Sequence, residues 1–345
     1  MSWRNILILL LVIAGIHLIL IMGISGGCRE EKKTETTPPA EKSGDVTASA
    51  EVEHHGKTAK NKIKDPEKPL SLKVSPWKYG SGRRLPDNLA KQSSRATSGI
   101  IVDLNTRQVL WEKNSRRPVP VASLTKLMTA LLVAEKFENG AGIDESIAMS
   151  ETAAAVEGRR FAPGEKLQIR DLIAAMMICS ANDAATMLAE VVSGRVAVFV
   201  DKMNERALEM GLKGVDFNSP SGLPQGKKRE NSLASASDIL HLCQALMRHR
   251  IIMDVCKESY AKLSNGKEVY ATNGLLKHPT KARPYWRKVP GLFGFKTGYT
   301  KAAGCCLAFG VTRNGRTFIG CVTGFPSSAD RERFCNGLIE WAYKK

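Results

Sequence analysis

Histidine is scarce, with six in 345 residues. His17 falls in an apolar N-terminal run and His54-His55 in a charged stretch; none of the others stands in a catalytic-looking motif. That argues against a Ser-His-Asp arrangement, which needs a placed imidazole as base. The eight cysteines form no C-x-x-C pair and no Cys/His spacing suited to a metal. Cys179, Cys243, Cys305, Cys306 and Cys321 sit in apolar runs and read as core packing. A chain this long needs no disulfide framework, and neither metal nor cofactor is expected. No internal repeat is visible. The net charge of +17 brings nucleic acid into question. The Lys and Arg residues are scattered, however, and carry no nucleic-acid motif. An acidic membrane or cell-wall surface suits such a diffuse field equally well.

Residues 1–28 hold an apolar run from Ile6 to about Ile24, long enough to span a bilayer as a helix, with Arg4 the one charge before it. The positive end stays in the cytoplasm, which places the rest outside. Two forms are open: an uncleaved anchor (residues 6–24), or a signal peptide ending at Ser25-Gly26-Gly27-Cys28 with Cys28 lipidated. Residues 29–95 are rich in Lys, Glu, Thr, Pro and Ala, too poor in large apolar groups to repay ordering. They read as a tether, with His54-His55 incidental and Pro69 to Asn88 draping over the globular domain.

The globular part, residues 96–345, opens with a hairpin: Gly99 to Asp103, a turn at Leu104 to Arg107, and Gln108 to Glu112. Helical patterns fill Glu145 to Arg250, among them Leu167 to Met177, Asn182 to Val192, Val196 to Met210 and Ala236 to His249. Asn218 to Pro224 is a long turn. Phe293 to Gly298, Cys305 to Val311 and Thr317 to Val322 read as strands, the last two joined at Asn314-Gly315. Ala329 to Tyr343 is a terminal amphipathic helix. Strands therefore open and close the domain. The expected fold is α+β, an α/β sandwich: one antiparallel sheet built from both ends of the domain, flanking helices, and an inserted helical lobe.

Pro118 and Pro120 precede Val121-Ala122-Ser123-Leu124-Thr125-Lys126-Leu127-Met128-Thr129-Ala130, which continues as helix to about Phe137. Ser123 falls in the first turn with Lys126 three residues on, on the same face. A hydroxyl beside an amine at a positive helix end is a candidate nucleophile. Ser-x-x-Lys alone says little, since Ser75/Lys78 and Ser264/Lys267 repeat it; Ser123 could be only a cap and Lys126 a solvated side chain. Two further motifs come after it in order, Ser180-Ala181-Asn182 and Lys296-Thr297-Gly298. This ordered trio is the signature shared by serine β-lactamases and penicillin-binding proteins.

On these motifs, and on Ser180 to Ala185, Pro220 to Leu223, Gly294 to Thr300 and Ala303-Gly304, the chain resembles the D-alanyl-D-alanine carboxypeptidases, the low-molecular-mass penicillin-binding proteins. The resemblance runs from about Ser98 to Tyr343 and implies a β-lactamase/transpeptidase-like fold. It implies Ser123 as nucleophile, Lys126 as base and Ser180 as proton relay. Asn182, Lys296, Thr297, Gly298 and Tyr299 would bind substrate, with the Ser123 and Tyr299 N–H groups as oxyanion hole. The implied partners are a peptidoglycan stem peptide ending in D-Ala-D-Ala, β-lactams, and a membrane through the N-terminal segment. Ala181 stands where glycine is common, and the run Lys277 to Lys288 is longer and more basic than usual. The sequence stops at Lys345, just past the terminal helix, so the β-rich C-terminal domain many relatives add is not expected. Arg331 is a further carboxylate candidate, its plainer reading a surface charge opening a helix. A class A β-lactamase would carry Glu-x-x-Leu-Asn between the second and third motifs; none occurs, so a long-lived penicilloyl enzyme is expected. A D,D-endopeptidase would use the same residues, and a silent peptidoglycan-binding module remains the non-enzyme alternative.

Overall fold

The computed structural model describes residues 75–80, 82–276 and 289–344. The expected membrane segment at 6–24, Cys28, His54-His55, the tether up to residue 74 and the basic run 277–288 lie outside them. Among the described residues no helix is long and apolar enough to cross a membrane.

Ordered packing begins earlier than the expected boundary at residue 95. Trp77 is buried, and α1 (Asp87–Ser93) comes after it, with Leu85 and Leu89 buried beside it. The drape expected for Pro69 to Asn88 is thus real from Trp77 onward: its apolar residues are spaced to fill separate pockets, which composition alone disguises as linker.

β1 (Ser98–Asp103) is buried along its whole length. Its apolar residues do not alternate with polar ones because both faces are covered. Ile100 and Val102 join the core under the helical lobe. Ile101 joins a second core with Leu307, Phe309, Phe334 and Leu338. Side chains two apart share a face, so the sheet is the middle layer of an α/β sandwich.

β2 (Val109–Lys113) pairs back on β1, and β3 (Val119–Pro120) leads into a 3₁₀ turn (Ala122–Thr125) and α2 (Lys126–Lys136). In α2, Leu127, Met128, Ala130, Leu131, Val133 and Ala134 are fully buried, making it the axis of the lobe. β4 (Ser146–Ala148), α3 (Glu151–Ala154) and β5 (Lys166–Gln168) come next. The helix expected from Leu167 starts only at Ile169, as α4 (Ile169–Ile178). Gln168 and Asp171 form a capping box there, while Leu167 pairs with Ile147 as strand.

α5 (Asn182–Ser193), α6 (Val196–Glu209), β6 (Val215–Asp216) and β7 (Leu233–Ala234) complete the middle of the lobe. The helix expected over Ala236 to His249 is α7 (Ala236–Leu246), three residues shorter, and a separate α8 (Arg250–Cys256) comes after it. A small ribbon, β8 (Tyr260–Lys262) with β9 (Glu268–Tyr270), precedes β10 (Lys296–Thr300), β11 (Gly304–Arg313) and β12 (Arg316–Phe325). Asn314 and Gly315 both have positive φ, +48° and +72°, as their tight hairpin requires. α9 (Ser328–Tyr343) closes the chain.

The five-stranded sheet runs β10-β11-β12-β1-β2, antiparallel throughout, so both ends of the domain build it as expected. β10 is an edge strand, and the site forms along that edge. At the opposite edge Lys78 bridges to β2: its N–H donates to the Arg107 carbonyl, and its carbonyl accepts from the Val109 N–H, both at 2.9 Å. Trp77 then stacks on His241 of α7, ring centres 4.4 Å apart.

Burial first, and the Arg107 cation second, hold the His241 imidazole down at about 4. An unfolded histidine titrates near about 6.5. As pH falls between these values the unfolded chain takes up a proton that the folded one refuses. This contribution is therefore intact above about pH 6.5 and lost towards pH 4, on the order of 2–3 kcal/mol in all. Denaturant unfolding near neutral pH and near pH 4 should show a smaller loss for His241→Phe than for wild type.

Candidate active site

The 3₁₀ turn that carries Ser123 is held in an unusual conformation. Ala122 has φ +49°, a left-handed geometry that an L side chain rarely adopts. Two glycines from distant parts of the chain grip this turn. A Cβ on Gly222 would lie 2.0 Å from the Ala122 carbonyl oxygen. A Cβ on Gly298 would lie 2.9 Å from the Val121 carbonyl oxygen and 3.1 Å from the Ser123 nitrogen. Gly298 lets β10 close on the turn, as expected; Gly222 does the same from the Asn218–Pro224 turn.

Lys126 opens α2 and is fully buried. Its Nζ lies 3.0 Å from Ser123 Oγ, 2.8 Å from Asn182 Oδ1 and 2.6 Å from the Ser221 carbonyl oxygen. Asn182 is oriented unambiguously, because its Nδ2 donates to the Glu157 carbonyl at 3.0 Å. Burial first, and the Lys296 ammonium second, push Lys126 well below the ordinary lysine value.

Ser180 and Ala181 form the joint between α4 and α5. Ser180 has φ +64°, which turns it into the cleft beside Ser123. Ala181 is 1% exposed, so its methyl is packed into the core. Asp183, fully buried, accepts from the Arg160 and Phe161 N–H groups and fixes the loop that supplies the Glu157 carbonyl.

On the other wall, Lys296 is 2% exposed and its Nζ donates to the Thr297 carbonyl at 3.1 Å. Burial lowers it to about 7. The Thr297 and Thr272 hydroxyls are hydrogen-bonded to each other. Tyr299 stands 68% exposed over the same cleft, whose volume is about 430 Å³.

Arg331 is not the surface charge of the plainer reading. It is 3% exposed and lines the cleft. Its Nη1 donates to the Cys306 carbonyl at 3.0 Å and its Nη2 to Glu332 at 2.7 Å, while its buried Nε has no protein partner. The first turn of a helix gave the surface impression, but that turn of α9 lies against β11. All the predicted site residues thus converge on one cleft or its buried floor. Sequence reasoning missed the Ser221 carbonyl, Thr272 and the Glu157 loop. Pro220-Ser221-Gly222-Leu223 was visible as a motif, but a backbone carbonyl leaves no residue-type signal, and Thr272 stands in no motif. The seven described cysteines are free and buried. Among the described residues no three His, Cys, Asp or Glu side chains converge where a metal could sit.

Residues 87–327 match the sequence profile of the D-alanyl-D-alanine carboxypeptidase family, peptidase family S11. The chain belongs to that family. It is 30% identical over 275 residues to the D-alanyl-D-alanine carboxypeptidase DacF of Bacillus subtilis, covering 75% of this chain and 67% of that one. It is 30% identical to DacA of Haemophilus influenzae, covering 72% and 62%. The chain thus spans about two thirds of these relatives' length. Among solved structures it is similar to penicillin-binding protein D2 of Listeria monocytogenes in its ampicillin-bound form, with TM-score 0.62, 28% identity, and 72% and 98% coverage. Penicillin-binding protein 6B of Escherichia coli gives TM-score 0.65 at 26% identity, with 78% and 81% coverage. The fold is that of the penicillin-binding proteins and β-lactamases, as expected.

Gly298→Ala should force β10 away from the Ser123 turn. Labelled-penicillin attachment is expected to slow by about tenfold or more, since small misplacements at a reacting centre are costly. Thermal unfolding should shift by only a few degrees.

Proposed function

We propose that the chain is a serine-type D-alanyl-D-alanine carboxypeptidase, removing the terminal D-alanine of peptidoglycan stem peptides through an acyl-enzyme on Ser123. Penicillins would acylate the same hydroxyl. One observation carries this reading. The Asn182 Oδ1 and the Ser221 carbonyl can only accept hydrogen bonds. In an uncharged Lys126 they would take up the two N–H groups, leaving its lone pair for the Ser123 hydroxyl 3.0 Å away.

Lys126 then takes the Ser123 proton as Oγ bonds to the carbonyl carbon of the penultimate D-alanine. The new ammonium is buried beside Lys296, which favours passing a proton on through Ser180 to the departing amine. The C–N bond breaks, free D-alanine leaves, and water hydrolyses the ester. The oxyanion is held by the Ser123 and Tyr299 N–H groups. As an edge strand, β10 offers unpaired backbone groups along which the peptide extends, with Asn182 on the facing wall. The Thr297 hydroxyl, the Lys296 charge and the orphaned Arg331 Nε suit the terminal carboxylate. Such a site lies outside the cytoplasm, tethered at the membrane through residues 6–24 or a lipidated Cys28.

Ser123→Ala is expected to abolish penicillin attachment and D-alanine release from a D-Ala-D-Ala pentapeptide; persistence of either refutes the nucleophile. Release of free D-alanine separates a carboxypeptidase from a β-lactamase. Lys296→Gln removes a cation that depresses Lys126. The base then needs a higher pH to be neutral, so the acidic limb of the penicillin-attachment rate profile should move to higher pH.

A further inference from the structure

A second cavity, of about 340 Å³, lies behind the turn that holds Lys126. The two hollows share a wall: Leu223 lines both, Gly222 faces the first and Ser221 the second. Its other sides come from the start of α6 at Val196, from Thr186 of α5 and from the loop at Glu157. Two of the hydroxyls there are already engaged. Ser219 Oγ accepts from the Gly222 N–H and donates to the Leu223 carbonyl, each at 3.0 Å. Thr186 Oγ1 donates to the Asn182 carbonyl at 3.0 Å. Those two hydroxyls are therefore fixed, and the lining, apolar at Val156, Val196, Pro220, Leu223 and Pro224, carries one charge. Glu157 is the sole charged residue among the described ones lining this cavity, in a chain of net charge +17. It pairs with Arg229 at 3.5 Å, with both side chains largely exposed. A pair like that contributes little and is readily exchanged for another cation.

We infer that this cavity is an accessory subsite for an ammonium-bearing side chain of the peptide, upstream of the bond that is cut. The inference rests on the proposed function, and it extends it to the part of the substrate that the cleft leaves over. Arg331 and Thr297 take the carboxylate on the sheet side, so the acyl portion lies against the lobe side, where the Ser221–Leu223 wall separates it from the cavity that Glu157 lines.

The test uses two peptides, Nα-acetyl-Lys-D-Ala-D-Ala with the side-chain amine free and the same peptide with it acetylated. For wild type, kcat/KM is expected to favour the free amine by about fivefold to tenfold. Glu157→Gln, and Val196→Trp, which fills the cavity, should each bring the ratio close to one. Penicillin attachment to the Val196→Trp protein should proceed at the wild-type rate. Calorimetric binding of both peptides to Ser123→Ala measures the same preference without turnover. Preference in binding with no D-alanine released would sink the proposed activity but sustain the subsite. Equal binding of the two peptides, or a preference untouched by both cavity variants, would overturn the subsite whatever the activity.

Discussion

Everything in this molecule depends on a lysine amine being kept out of water. In solution such a group titrates at about 10.4 and is a poor base at neutral pH. Here Lys126 is fully buried at the head of α2. The small and aliphatic residues of α2 let its neighbours close in. With Lys296 buried at the facing edge strand, protonation would place two cations in one dry space. Desolvation and that repulsion act in the same direction, and both favour the neutral form.

Enclosing the Lys126 amine requires three remote segments to meet. The Ser123 turn lies near the start of the domain, the Ser180–Asn182 joint in its middle and β10 near its end. Each contact is made by backbone or by a residue with an enforced geometry. Ala122 and Ser180 both hold positive φ, at +49° and +64°. Strain of this kind costs about 1–3 kcal/mol per residue and persists only where the surroundings over-determine it. Here Gly222 and Gly298 are the surroundings of Ala122, since each permits an approach that a single methyl would block. The sheet supplies rigidity, with packed cores on both faces, and the lobe supplies Lys126 and the hydrogen-bond acceptors of its amine.

Much of this was legible in the residues. The strand–helix–strand order, the Asn314-Gly315 hairpin and the helix following Ser123 could be read from periodicity and turn chemistry. The three motifs named most of the cleft. The misread places share a physical cause: they depend on contacts far apart in sequence. Leu167-Gln168 carries a helical pattern, yet pairing with β4 holds it as strand until the capping box at Asp171 starts α4. Trp77 and Leu89 stand in linker-like composition and are ordered by surfaces that only the folded domain offers. Arg331 looks like a solvated charge until α9 is laid on β11. The Ser221 carbonyl, one of the two acceptors that define the state of Lys126, is backbone and has no signature of its own.

The central claim is that Lys126 is uncharged at neutral pH in the resting protein. The direct measurement is an NMR titration of the lysine side-chain Cε and Nζ signals, with Lys126 assigned through a Lys126→Arg variant. One lysine signal, absent from the variant, should show a neutral amine at about pH 7 and titrate well below the ordinary value of about 10.4. A Lys126 signal that stays that of an ammonium up to about pH 9 or beyond would contradict the account.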